Sequence, residues 1–131
     1  MYKKIICAIE ASDEGKIVLK KAHTLAKLCG AKLYVINVIP YTILPKDYQK
    51  TLQEEALPAV NEIATAFEIP PKKVFVKVGK PYEQICTLAE KKEADLIVIG
   101  THSKKGIQAL IGSTANGVVN YAKCDVSLVK I

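Results

Sequence analysis

The chain has no arginine: every one of its basic residues is a lysine, and they leave a net charge of +6. A basic surplus raises nucleic acid as a partner. Yet the planar fork of arginine is the usual reader of base edges and the bidentate clamp on phosphate. The lysines are also scattered, in pairs such as Lys20-Lys21, Lys72-Lys73 and Lys91-Lys92, as solvated faces are. No specific nucleic-acid recognition is expected. Long apolar runs are missing as well; none reaches the ~20 residues that span a bilayer. The start, Met1 to Ile6, carries two lysines and only a short apolar stretch before Glu10. That is not the pattern of a secretory leader. The expectation is a cytoplasmic protein with no membrane partner. Clustered metal ligands are absent too. Cys7, Cys29, Cys86 and Cys124 lie far apart, and His23 and His102 offer no zinc spacing. The cysteines sit in or beside apolar stretches, so reduced, buried thiols are expected. Repeats, low-complexity tracts and linkers are lacking.

What remains is 131 residues, of which 50% are hydrophobic. That length fits one domain, residues 1–131, which buries roughly two-thirds of the surface its unfolded chain exposes. Short apolar runs alternate with helical patterns along the whole chain. Strands are expected over Lys4–Ile9, Lys32–Ile39, Lys73–Val78, Asp95–Ile99 and Val126–Ile131. Between the first two, Ser12 or Asp13 can cap a helix whose stripe is Val18, Ala22, Leu25, Ala26 and Cys29, and Gly30 ends it. A second helix carries Leu52, Ala56, Val60, Ile63 and Phe67. Pro58 lies inside it, so a kink or a break into two helices is expected. Pro70-Pro71 sets an extended approach to the third strand. Pro81 suits the first turn of a third helix that buries Ile85, Leu88 and Ala89. A short turn is expected through residues 107–111. A fourth helix starts near Ser113 and buries Ala115, Val118, Val119 and Ala122. Strands separated by helices form a parallel sheet covered on both faces, because crossovers are right-handed.

Open parallel sheets bind ligands beyond the carboxyl ends of their strands. Two such ends carry useful chemistry. Ile9-Glu10-Ala11-Ser12 places a carboxylate and a hydroxyl past the first strand. Gly100-Thr101-His102-Ser103 follows the fourth, and Gly112-Ser113-Thr114 opens a helix after it. Gly100 would let backbone approach a ligand closely. The helix start offers free N–H groups and a positive dipole end, and Ser103, Ser113 and Thr114 offer hydroxyls. Such a nest suits a phosphate chain, although a helix end alone contributes only about 0.3–1 kcal/mol per exposed charge. The same glycines can equally be a turn and a helix cap.

These residues resemble the universal stress protein family over essentially the whole chain. Gly100-Thr101-His102-Ser103 and Gly112-Ser113-Thr114 resemble its phosphate motif. Val78-Gly79-Lys80-Pro81-Tyr82-Glu83-Gln84-Ile85 resembles its approach to the third helix, and Ala8-Ile9-Glu10-Ala11-Ser12 the end of its first strand. Asn120 to Lys130 resembles its closing helix and strand. The resemblance implies an α/β three-layer sandwich with a five-stranded parallel sheet in the order 3-2-1-4-5. It implies a homodimer paired along Val126–Lys130, and ATP or AMP as ligand, with Mg²⁺ as the companion ion of ATP. Ala8, Ile9, Glu10 and Val38 would flank adenine and ribose. Gly100, His102, Ser103, Gly112, Ser113 and Thr114 would lie around the phosphates, with Ile99 a further nucleotide contact and Ser12 a helix cap and a ligand contact. Three departures stand out: Glu10 replaces an aspartate, Ser103 replaces a glycine, and the spacer to Gly112 is short by a residue.

The reading is thus a nucleotide-binding regulatory dimer in stress response. One alternative is a slow ATPase or autokinase in the same pocket. It lacks arginine, and Lys104-Lys105 is the only cationic pair near the motif. Glu10 can reach Mg²⁺ through water, but no second metal ligand is evident. A dimeric interaction module without nucleotide is the other alternative. A response-regulator receiver is excluded because the third strand ends in Val78-Gly79, with no acidic residue.

Overall fold

The computed structural model describes residues 1–40, 45–101 and 112–131. The order is β1 (Lys4–Ala8), α1 (Asp13–Cys29), β2 (Lys32–Pro40), α2 (Lys46–Thr65), β3 (Val74–Gly79), α3 (Pro81–Lys92), β4 (Leu96–Thr101), α4 (Ser113–Tyr121) and β5 (Asp125–Lys130). All pairings are parallel, and the sheet runs β3-β2-β1-β4-β5.

Side chains that alternate along each strand fill two cores. Ile5, Cys7 and Ile9 face α1 and α2, where they meet Val18, Leu19, Ala22, Val60 and Ile63. Ile6, Ala8, Ile97 and Ile99 face α3 and α4, against Ile85, Leu88, Ala115 and Val118. Ile5, Ile6, Leu19, Ile36 and Ile97 are fully buried. Each such side chain is worth roughly 1.5–3 kcal/mol against exposure. The chain winds to one side of β1 through β2 and β3, then returns to its other side through β4 and β5. The reversal point is the crevice between β1 and β4.

The helix ends follow local chemistry. Ser12 is extended, and its Oγ accepts from the Gly15 N–H at 3.2 Å. Gly30 closes α1 in the left-handed region at φ 68°, where a Cβ is unwelcome. Several expectations need correction. α2 is one continuous helix through Pro58, not two. A 3-10 turn, Pro71–Lys73, precedes β3. Val119 is exposed, because Gly117 takes the buried flank of α4 instead. β4 does not stop at Ile99. It continues through Gly100 and Thr101, held by pairing with Val129 and Lys130. Cys7 is buried, and burial pushes its thiol up, so it stays protonated. Cys29, Cys86 and Cys124 are free but only half-buried. The turn expected at 107–111 lies outside the described residues.

Candidate functional site

β1 ends at Ala8, and three contacts fix the turn from its tip into α1. The Ile9 N–H donates to the Ile36 carbonyl at 2.9 Å. The Ile9 carbonyl accepts from Asn37 Nδ2 at 2.8 Å. The Glu10 carbonyl accepts from the Ser12 N–H at 2.9 Å and lies under the first turn of α1. A Cβ on Gly15 would fall on that oxygen, so only glycine fits there. The tip of β1 is therefore locked between β2 and α1, and the half-turned chain presents Glu10 at the surface.

Beyond this tip lies a cavity of 390 Å³. Ala8, Ile9 and Glu10 form one wall, and Ile36, Asn37 and Val38 of β2 a second. Ile99, Gly100 and Thr101 of β4 form a third. The far side is the start of α4, with Gly112, Ser113, Thr114 and Ala115. α4 is drawn against α3 because Gly117 faces the Tyr82 ring; a Cβ there would lie 2.6 Å from Cγ. The Asn116 N–H is the first to be satisfied within α4, by the Gly112 carbonyl at 2.9 Å. The N–H groups of Ser113, Thr114 and Ala115 precede it, and Gly112 supplies no side-chain cap. Donors and a positive dipole end thus stand opposite two carboxylates, Glu10 and Glu14, which share the other side of the cavity. An elongated ligand with an anionic end and a hydroxyl-bearing middle matches that polarity.

The two motif glycines serve different purposes. At Gly100 a Cβ would meet Ile131 Cδ1 at 2.5 Å and Val18 Cγ2 at 2.8 Å. That glycine makes room for packing, and it also lines the cavity. Gly112 has φ −53° and ψ 152°, which any residue adopts, and a Cβ there would have no described neighbour within 4 Å. Neither backbone strain nor described packing requires glycine at that point.

The sequence profile of the Universal stress protein family matches residues 1–130. The chain belongs to the universal stress protein family. Among its relatives is universal stress protein A homolog 2 of Coxiella burnetii, 35% identical, with 99% of this chain and 96% of that one aligned. The universal stress protein from Archaeoglobus fulgidus in complex with dAMP is similar in structure. Its TM-score is 0.68 at 27% identity, over 98% of each chain. A universal stress protein in complex with cAMP gives a TM-score of 0.64 at 25% identity, over 98% of this chain and 96% of that one.

Within this family member, Ala8, Ile9, Glu10, Val38, Ile99, Gly100, Gly112, Ser113 and Thr114 all line one cavity. Ser12 does not line it; its hydroxyl is occupied in capping α1. His102 and Ser103 lie outside the described residues. Sequence reasoning passed over Gly15 and Asn37. Asn37 had one visible signal, a lone amide inside an apolar strand. Gly15 had one too, a glycine inside a helix. Among the described residues, no group of three His, Cys, Asp or Glu is placed to hold a metal ion, and no helix is long and apolar enough to cross a membrane.

Proposed function

We propose that this chain is a cytoplasmic, regulatory homodimer of the stress response that binds an adenine nucleotide, ATP or AMP, in the cavity between β1, β4 and α4. The observation that carries the reading is that cavity. The first-turn N–H groups of α4 lie on one side and the carboxylates of Glu10 and Glu14 on the other. Its 390 Å³ falls in the usual range of small-molecule sites, about 300–1,000 Å³. The solved relatives with dAMP and cAMP share an adenine base and a phosphate, while their sugars and phosphate forms differ. Here the base would lie against Ala8, Ile36 and Val38, and the sugar hydroxyls would face Glu10. The phosphates would take the N–H groups of Ser113 and Thr114 and their hydroxyls. With ATP, Mg²⁺ would accompany the phosphates as their counter-ion. Among the described glycines, Gly112 is the one that neither backbone nor described packing requires, and it lies where the phosphates would pass.

The dimer would form along β5. The two sheet edges are treated differently. α2 reaches over β3, where Gln53 Nε2 donates to the Val76 carbonyl at 2.6 Å. No described side chain does this for β5, whose neighbourhood exposes Leu128 (39%) and Val119 (46%). An apolar open edge is an aggregation hazard unless it is paired. Thermal unfolding with AMP, and with ATP and Mg²⁺, tests the nucleotide reading. A ligand at 100 times its dissociation constant adds about 2.7 kcal/mol of stability. No shift at millimolar nucleotide, for protein shown to carry none, would reject it. Steady phosphate release by the purified protein would turn the reading toward an enzyme.

A further inference from the structure

We infer that Cys86 and Cys124 are an oxidation site, a pair of thiols that a peroxide closes into a reversible disulfide between α3 and the segment leading into β5. The chain carries four thiols, and the sheet sorts them. Cys7 is sealed in the core on the α1 and α2 face, and Cys29 ends α1 on that same side. Cys86 and Cys124 both border the other core, the one under α3 and α4, and both are free and half-buried.

Their nearness follows from what surrounds them. Tyr82, Cys86 and Glu90 recur at a spacing of one helical turn, so they form one stripe on α3. At one end of the stripe, Tyr82 stacks on Tyr121 with ring centroids 5.1 Å apart. At the other end, Glu90 Oε1 accepts from Lys123 Nζ at 2.9 Å. Cys86 lies between these two fastenings and so faces the chain that leaves α4. That chain turns extended at Ala122. Its alternate residues Ala122, Cys124 and Val126 pack onto the core that Cys86 borders. Burial pushes the Cys86 thiol up, and the charges of Cys124 and Glu90 add to it. Burial also raises the Cys124 thiol, and Asp125 and Asp95 add to that. The cation at this edge, Lys123, is engaged by Glu90.

The closure balances with hydrogen peroxide as the oxidant. One sulfur, as thiolate, attacks a peroxide oxygen. The O–O bond breaks, and the departing hydroxide leaves with the thiol's proton as water. The second sulfur then attacks the resulting sulfenic sulfur, the S–O bond breaks, and the hydroxyl leaves with the second proton as another water. The thiols lose two electrons, and the peroxide is reduced by two. The attacking species is the thiolate, and both thiols are held protonated at neutral pH. Closure is therefore slow there and faster in alkali.

Peroxide treatment of the reduced protein at neutral and alkaline pH tests this, followed by alkylation, digestion and mass spectrometry. Wild type should yield a linked peptide that joins Cys86 to Cys124, formed faster at the higher pH. Its melting temperature should rise by roughly 5–15 °C and fall back on treatment with dithiothreitol. Cys86→Ser and Cys124→Ser should give neither the link nor the rise. Peroxide that takes these thiols to sulfinic acids without linking them, links either one to Cys29 instead, or leaves both unchanged overturns the assignment. If a serine variant does not fold, the wild-type peptide map decides alone.

Discussion

Gly112→Asp separates stability from binding, because one carboxylate acts on both with opposite sign. Position 112 is the N-cap of α4, with allowed backbone angles and no described atom in the way of a side chain. Aspartate is a better N-cap than glycine by a few tenths of a kcal/mol, on the order of 0.3. Its charge at the positive end of the helix adds about 0.3–1 kcal/mol. The unliganded variant should therefore be more stable by about 0.5–1 kcal/mol, a rise of roughly 2–6 °C in melting temperature for a chain of this size. The same carboxylate would occupy the N–H groups that a phosphate needs and repel its charge. Wild type at saturating AMP should gain on the order of 10 °C, from about 2.7 kcal/mol of linkage. The variant should gain none. Scanning calorimetry of both proteins, with and without AMP, reads all four states. A destabilised unliganded variant would show that residue 112 is not a free cap. A retained AMP shift would place the phosphates elsewhere.

Gly15→Ala drives a methyl group onto the Glu10 carbonyl, so urea unfolding should show a loss of about 1–3 kcal/mol; an unchanged midpoint would contradict the lock at the β1 tip. Leu128→Lys should convert a dimer to a folded monomer in sedimentation velocity, since Leu128 is already 39% exposed; a dimer that survives would put the interface off β5. Asp95 accepts from the Lys3 and Lys4 N–H groups at 2.9 and 3.1 Å. Burial pushes its carboxyl up, but these bonds outweigh it and hold the group below the usual carboxylate range. Its contribution is thus present above the unfolded value of about 3.9 and lost as pH falls through the lower folded value. Asp95→Asn should flatten the acid limb of stability between roughly pH 2 and 5 in urea titrations; parallel wild-type and variant curves would refute this.

Local pattern by itself determined much of this protein. Continuous apolar runs marked the inner strands β1 and β4, because a strand buried on both faces has no polar side to show, while the edge strands β3 and β5 read as apolar residues interrupted by Lys77 and Ser127. Ser12, Gly30 and Pro81 marked helix boundaries through capping and fixed backbone angles, which act within a turn. The stretches that line the cavity were also readable, as hydroxyls, glycines and a carboxylate past strand ends. Tertiary structure alone decided why particular residues stand there. Gly100 yields to Val18 and Ile131, Gly117 to Tyr82, and Gly15 to Glu10. Asn37 was paired with Ile9, 28 positions away, only once β2 lay beside β1. Propensity and periodicity report what a residue does to its own backbone within a few positions. Which atom occupies the space a Cβ would need is settled by elements that meet only when the sheet has assembled.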